Sequence, residues 1–179
     1  MVKTKIEALG GDIEAKTKLR EGSNFIIRLP LTLAIIQALM VELGQEKYAI
    51  PLGSIKTMED VRMQRITRVP KAQSYFKGVI NLRGEIIPVM RIRLKFGLEE
   101  DVYSNATRII IIKLEPQFAV GIIVDEVKEV VTLDENSIEK VTNSAVEDKN
   151  GYISGVGKQK DGLISLLNIA GVIIEKETI

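Results

Sequence analysis

The chain contains neither histidine nor cysteine, so any chemistry must come from carboxylates, lysine, arginine or tyrosine. Ser-His-Asp and Cys-His nucleophiles cannot be built, imidazole and thiolate metal sites are excluded, and no histidine can accept a phosphoryl group. Two residual clusters could still do chemistry. Asp125, Glu126 and Glu129 follow an apolar run; on a strand, Asp125 and Glu129 share a face and could hold a cation. They lack the spacing of a calcium loop, and Lys128 stands between them, which favours a solvated strand end. Gly155-Val156-Gly157-Lys158 ends like a phosphate loop, but Tyr152 and Gln159 occupy the flanking positions that need Gly and Ser or Thr. Lys160 replaces the third glycine of a dinucleotide fingerprint, leaving a glycine-softened strand end. No catalytic constellation and no cofactor site emerges.

A third feature could recognise a partner. In Gly78-Val79-Ile80-Asn81-Leu82-Arg83-Gly84-Glu85-Ile86-Ile87-Pro88-Val89, two apolar strands bracket a turn displaying Asn81, Arg83 and Glu85. One reading is a hairpin with a polar tip. The other is that Arg83, a planar five-donor group on a stiff support, binds a partner's carboxylate or backbone oxygens. Loops on rigid scaffolds often carry function, and the residues alone leave both readings open.

The elements that must position this turn are short and mostly β. Val2–Leu9 places Val2, Ile6 and Leu9 on one helical face, and Gly10-Gly11 caps it. Asp12–Leu19 and Asn24–Leu29 form a hairpin turning at Glu21-Gly22, with Pro30 ending it. Further hairpins join Ile36–Leu43 to Lys47–Leu52 through the three residues Gly44-Gln45-Glu46, Phe76–Ile80 to Glu85–Met90, and Arg108–Leu114 to Phe118–Val124 across Glu115-Pro116-Gln117. Ile55–Val69 is looser, and Arg91–Phe96 before Gly97 fits one helical turn. Lys128–Leu133, Tyr152–Val156 and Leu163–Asn168 bring the count to about nine strands, spaced as in sandwiches and barrels.

Composition narrows the partners. Lys plus Arg number 25 against 24 Asp plus Glu, and the basic residues are scattered, which argues against a phosphate-tracking nucleic-acid surface. The apolar runs Leu29–Val41 and Leu163–Ile174 are too short to span a bilayer, so direct membrane insertion is not expected. Absence of cysteine suits a reducing compartment, and the expected location is cytoplasmic. With 4% aromatics, the core must be aliphatic and largely β-branched, which favours strands.

Three stretches now carry a resemblance: ITRVPKAQSYFKGVINLRGEIIPVMRIRLKFGL (Ile66–Leu98), TRIIIIKLEPQFAVGIIVDEVKEVVTL (Thr107–Leu133) and YISGVGKQKDGLISLLNI (Tyr152–Ile169). In order and spacing they are similar to the CheW family of bacterial chemotaxis coupling proteins. The resemblance implies an all-β fold of two SH3-like five-stranded β-barrel subdomains sharing an apolar seam, here with a short N-terminal α-β-β appendage. Val2–Ile55 resembles instead the chemotaxis kinase CheA, from the end of its ATP-binding domain into its regulatory domain. This implies residues 1–31 as a non-functional remnant of that ATP-binding domain and 32–179 as the CheW-like domain.

The implied function is a non-catalytic adaptor with two partners, methyl-accepting chemotaxis receptors and the regulatory domain of the histidine kinase CheA. The alternative is the C-terminal regulatory fragment of a CheA-type kinase. Carried over position by position, Ile55, Thr57, Gly78 and Arg83 would belong to the receptor-facing side. Gly121, Val127 and Val130 would belong to kinase contact or coupling. Where the family usually has a Val-x-Glu-Ile-like run, this chain has Ile55-Lys56-Thr57-Met58, so its glutamate is either replaced by Thr57 or displaced to Glu59.

Overall fold

A computed structural model of the chain describes residues 2–8, 11–29, 34–100, 102–114, 117–141 and 150–174. It divides into two compact units, residues 1–34 and 35–179. In the first unit, α1 (Val2–Ala8) precedes the antiparallel hairpin of β1 (Asp12–Lys18) and β2 (Gly22–Arg28). Ile6 is the buried residue of α1, Val2 is exposed, and the Gly11 amide donates to the Ile6 carbonyl at 2.9 Å. Leu9, Gly10 and Pro30, expected to complete the helical face, cap it and end the hairpin, lie outside the described residues. The turn is Leu19-Arg20-Glu21 rather than Glu21-Gly22, with Arg20 at φ 67, so β2 starts two residues before the expected Asn24. One face of the hairpin carries Arg28 paired with Asp12 and Glu14, each at 3.2 Å. The other carries exposed Phe25 and Ile27 opposite Ala15 and Ile13.

The second unit holds eleven described strands against the nine expected: β3 (Ile35–Leu43), β4 (Glu46–Pro51), β5 (Ile55–Asp60), β6 (Phe76–Leu82), β7 (Glu85–Arg91), β8 (Arg108–Leu114), β9 (Phe118–Val124), β10 (Glu126–Asp134), β11 (Glu139–Lys140), β12 (Ile153–Gln159) and β13 (Gly162–Leu167). The two additional ones are β5, at the start of the looser Ile55–Val69 stretch, and the two-residue β11. Short helices α2 (Ile92–Lys95), followed by Gly97 at φ 73, and α3 (Ile169–Ile173) complete it. The β3–β4 connection is two residues, Gly44-Gln45, because Leu43 pairs with Glu46 and Gly44 supplies φ 64. The third hairpin pairs Leu114 with Phe118; its turn residues Glu115 and Pro116 lie outside the described residues.

Two sheets form, one of six strands in the order β10-β3-β4-β13-β12-β11 and one of five in the order β5-β8-β9-β7-β6. The six-stranded sheet exceeds the expected five only by β11. Both follow one pairing rule: two antiparallel steps, a parallel step (β4 with β13, β9 with β7), then an antiparallel step. The strand after each central hairpin crosses to the other sheet. Thus β5 follows β4 but pairs with β8, and β10 follows β9 but pairs with β3. The two halves are interlocked by exchange of a strand.

This exchange explains the apolar runs. Ile110, Ile112, Ile122 and Val124 join Leu39, Val41, Leu43 and Ile50 in a core spanning both sheets. Ile109, Ile111 and Ile123 point the other way, into a core with Ile80, Ile87 and Val89. The equivalent core of the six-stranded sheet contains Met40, Val131, Leu133, Ile164 and Leu166. Strands buried on both faces lose alternation and read as continuous aliphatic segments, as β8 and β9 do.

Candidate functional site

The β6–β7 hairpin is built to hold Arg83 outward. Leu82 pairs with Glu85, leaving Arg83 and Gly84 as a two-residue turn with φ 53 and φ 87. Two positive φ values define the turn type whose twist matches a hairpin, and Asn-Gly is its preferred sequence. Asn81 Oδ1 accepts from the Gly84 amide at 3.0 Å and locks the turn. Arginine at φ 53 is a conformation that its side chain disfavours. Among the described residues the exposed Arg83 guanidinium has no hydrogen-bond or ion-pair partner. A strained, unpaired, five-donor group at a rigid tip is chemically suited to a carboxylate or backbone carbonyls of another molecule.

Glu85, two residues on, pairs with Lys56 of β5. Since β5 and β6 lie at opposite ends of the strand order, this ion pair brings the turn and the far edge strand together. Two of the expected receptor-side residues lie on that strand. A bulge after Ile55 shifts the register, so Ile55 pairs with Ile112 and Thr57 with Ile111. Simple alternation would put Ile55 and Thr57 on one face; the bulge puts them on opposite faces. Ile55 packs against the inter-sheet core, whereas Thr57 and Glu59 share the other face, their side chains 3.5 Å apart. Glu59 also accepts from Gln64 Nε2 at 3.2 Å. At the end of β5, Asp60 accepts from the Arg62 side chain and backbone, which holds its carboxyl below the usual aspartate range.

Gly78 does not reach the surface. It is buried at a bulge of β6 with φ 148, where Thr67 crosses and exchanges two 2.8 Å hydrogen bonds with Val79. A β-carbon there would stand 2.3 Å from the Thr67 carbonyl oxygen. Gly121 is likewise buried, in β9, where a β-carbon would lie 2.8 Å from Ile109 Cγ2 and 3.3 Å from Val89. Both glycines shape the five-stranded sheet that carries Arg83.

Val127 and Val130 flank a bulge in β10, on the six-stranded sheet. Val127 packs on the inter-sheet core; Val130 is 53% exposed. Between them, Lys128 Nζ bridges Glu126 at 2.7 Å and Glu42 at 3.0 Å. Those two carboxylates, Glu126 first, raise the Lys128 pKa and pin the bulge to β3. The structure therefore brings Ile55, Thr57, Gly78, Arg83 and Gly121 onto one sheet and places Val127 and Val130 on the other.

The acidic and glycine-rich clusters are absorbed structurally. Asp125 accepts from the Gly44 amide at 2.7 Å and from Arg93, so it is committed within the fold. Gly155 lies inside β12 rather than at its end, where a β-carbon would meet Ile138 Cγ2 at 2.6 Å. The sequence did not single out the Lys56–Glu85 pair or the exposed side chains of Met58 on β5 and Ile86 on β7. For Ile86 a signal existed: it alternates with buried Ile87 and Val89 on β7.

No helix among the described residues is long and apolar enough to cross a membrane. A profile of the CheW-like domain matches residues 37–177. The chemotaxis protein CheW of Helicobacter pylori is 33% identical over 139 residues, 78% of this chain and 82% of that protein. The chemotaxis protein CheA of Treponema pallidum is 31% identical over 176 residues, which is 98% of this chain and 20% of that much longer protein. The crystal structure of the scaffolding protein TtCheW from Thermoanaerobacter tengcongensis matches with a TM-score of 0.70 at 30% identity, covering 79% of this chain and 94% of its own. The profile match over most of the chain, the extended coverage of a CheW relative and the shared two-sheet architecture agree, and the chain belongs to the CheW family.

Proposed function

We propose that the chain is a chemotaxis coupling adaptor, joining methyl-accepting receptors to the histidine kinase CheA by binding alone, in the cytoplasm. The observation that carries the mechanism is Arg83, held outward at φ 53 with no partner among the described residues, on a hairpin tied to β5. In this reading Arg83 engages receptor oxygens, and Ile55 and Thr57 contribute from the two faces of β5. Gly78 and Gly121 act indirectly, by setting the sheet that presents them. Val127 and Val130 form the kinase-facing side, with exposed Val130 as the direct contact. Recognition of this kind concentrates its energy in a few anchors with a polar rim around them.

Co-sedimentation with receptor signalling tips, with and without the kinase, tests the adaptor reading. A ternary complex supports it; capture of the kinase alone, with no receptor, contradicts it. A second reading is favoured by the alignment to CheA over 98% of the chain: a regulatory fragment of a CheA-type kinase whose residues 1–31 are the end of an ATP-binding domain. Both readings share the fold, and they differ in whether a catalytic domain belongs upstream.

A further inference from the structure

A surface cavity lies at the end of the β6–β7 hairpin away from Arg83, where the segment following β5 folds back onto β6 and the end of β7. Its walls include Arg68, Lys71, Gln73, Ser74, Lys77 and Arg91. Four of these are cations, and no carboxylate is among the described residues that line the cavity, in a chain whose formal net charge is +1. Arg91 is 8% exposed. A buried guanidinium is costly unless each of its donors finds an acceptor. Its Nη1 donates to Glu100 at 2.7 Å and its Nη2 to the Ser74 carbonyl, but its Nε–H has no acceptor among the described residues. The Glu100 side chain is 72% exposed, so water weakens this counter-charge. Lys77 lies 5.0 Å over the Tyr103 ring, and Lys71 is held at φ 61.

Propping the 68–77 segment explains the Arg91 bond to Ser74. It does not explain why Arg68, Lys71 and Lys77 line the same cavity, where like charges repel. An anion supplies both the missing counter-charge and an acceptor for the Arg91 guanidinium. We propose that this cavity is an oxyanion site that takes a phosphate group. A tetrahedral dianion fits four cations better than a planar monoanion such as a carboxylate, because its oxygens can face several donors at once.

The test is an NMR titration of the full chain with inorganic phosphate near pH 7.5, following the amides of residues 68–77 and the Arg91 Nε–H. Saturable shifts confined to these groups are expected, with acetate at matched ionic strength binding about tenfold more weakly. The rim variant Arg68→Gln with Lys71→Gln, both exposed side chains, should abolish the shifts without moving the melting temperature. Glycerol 3-phosphate run in parallel distinguishes the source: tighter binding than phosphate assigns the site to an esterified phosphate, weaker binding to the free ion. Shifts that chloride reproduces at the same ionic strength, or that persist undiminished in the rim variant, overturn the proposal.

Discussion

Gly78 lies directly beneath the backbone carbonyl of Thr67, and a β-carbon at Gly78 would stand 2.3 Å from that oxygen. The crossing segment seals part of the outer edge of β6 through the Thr67–Val79 bridge, which protects an otherwise open edge strand. Position 78 thus matters because the backbone of the 61–75 segment needs the space, and the glycine must also adopt φ 148.

Gly78→Ala should therefore destabilise the protein by about 2 kcal/mol or more, since backbone cannot step aside as a side chain can. Gly121→Ala meets side chains only, at 2.8 Å from Ile109 Cγ2, and overpacking of this kind costs about 1–3 kcal/mol. Thermal melts of both variants check this. An unchanged melting temperature for Gly78→Ala would show that the Thr67 crossing is not a fixed part of the fold.

The interlocked sheets make a separate prediction. Ile110 is fully buried in the core shared by both sheets, and Ile110→Ala should cost about 2–5 kcal/mol. Because β5 and β10 each cross between sheets, residues 35–179 should still unfold in one transition. Fluorescent probes placed separately on β6 and β12 should report coincident midpoints in urea. Two separated midpoints would mean the halves fold independently despite the exchange.

Asp60 gives a prediction in pH. Arg62 holds its carboxyl below the ordinary value of 3.8, so the folded state releases this proton more readily than the unfolded chain does. Its stabilisation is present above pH 3.8 and is lost as pH falls from there through the lowered folded value. Asp60→Asn should flatten part of the acid limb of the stability curve below about pH 4 and leave its shape near neutrality unchanged. Urea midpoints measured from acid to neutral pH test this; an acid limb identical in both proteins would contradict it.

How far the sequence revealed this molecule depended on how local each signal was. The hairpins around Gly44, Arg83 and Pro116 were visible because turn residues interrupt aliphatic runs, and β8 and β9 because burial on both faces leaves them uninterrupted. The strand β5 was hidden: Lys56, Thr57, Glu59 and Asp60 are polar, and only pairing with β8 makes the segment extended. The bulge that puts Ile55 and Thr57 on opposite faces has no sequence signature and shows only in the register with β8. The turn around Arg83 was legible as a display site, but its strain was not, because a positive φ at arginine is imposed by the hairpin register.

That strain is the most direct handle on the proposed function. Asparagine is preferred where arginine now stands, so Arg83→Asn should relieve about 1 kcal/mol and raise the melting temperature by about 2–4 °C. The adaptor account predicts that this more stable variant co-sediments with receptor signalling tips severalfold less than the wild type, at equal receptor and protein concentrations. Undiminished co-sedimentation of a stabilised Arg83→Asn variant would contradict the claim that Arg83 is the receptor anchor.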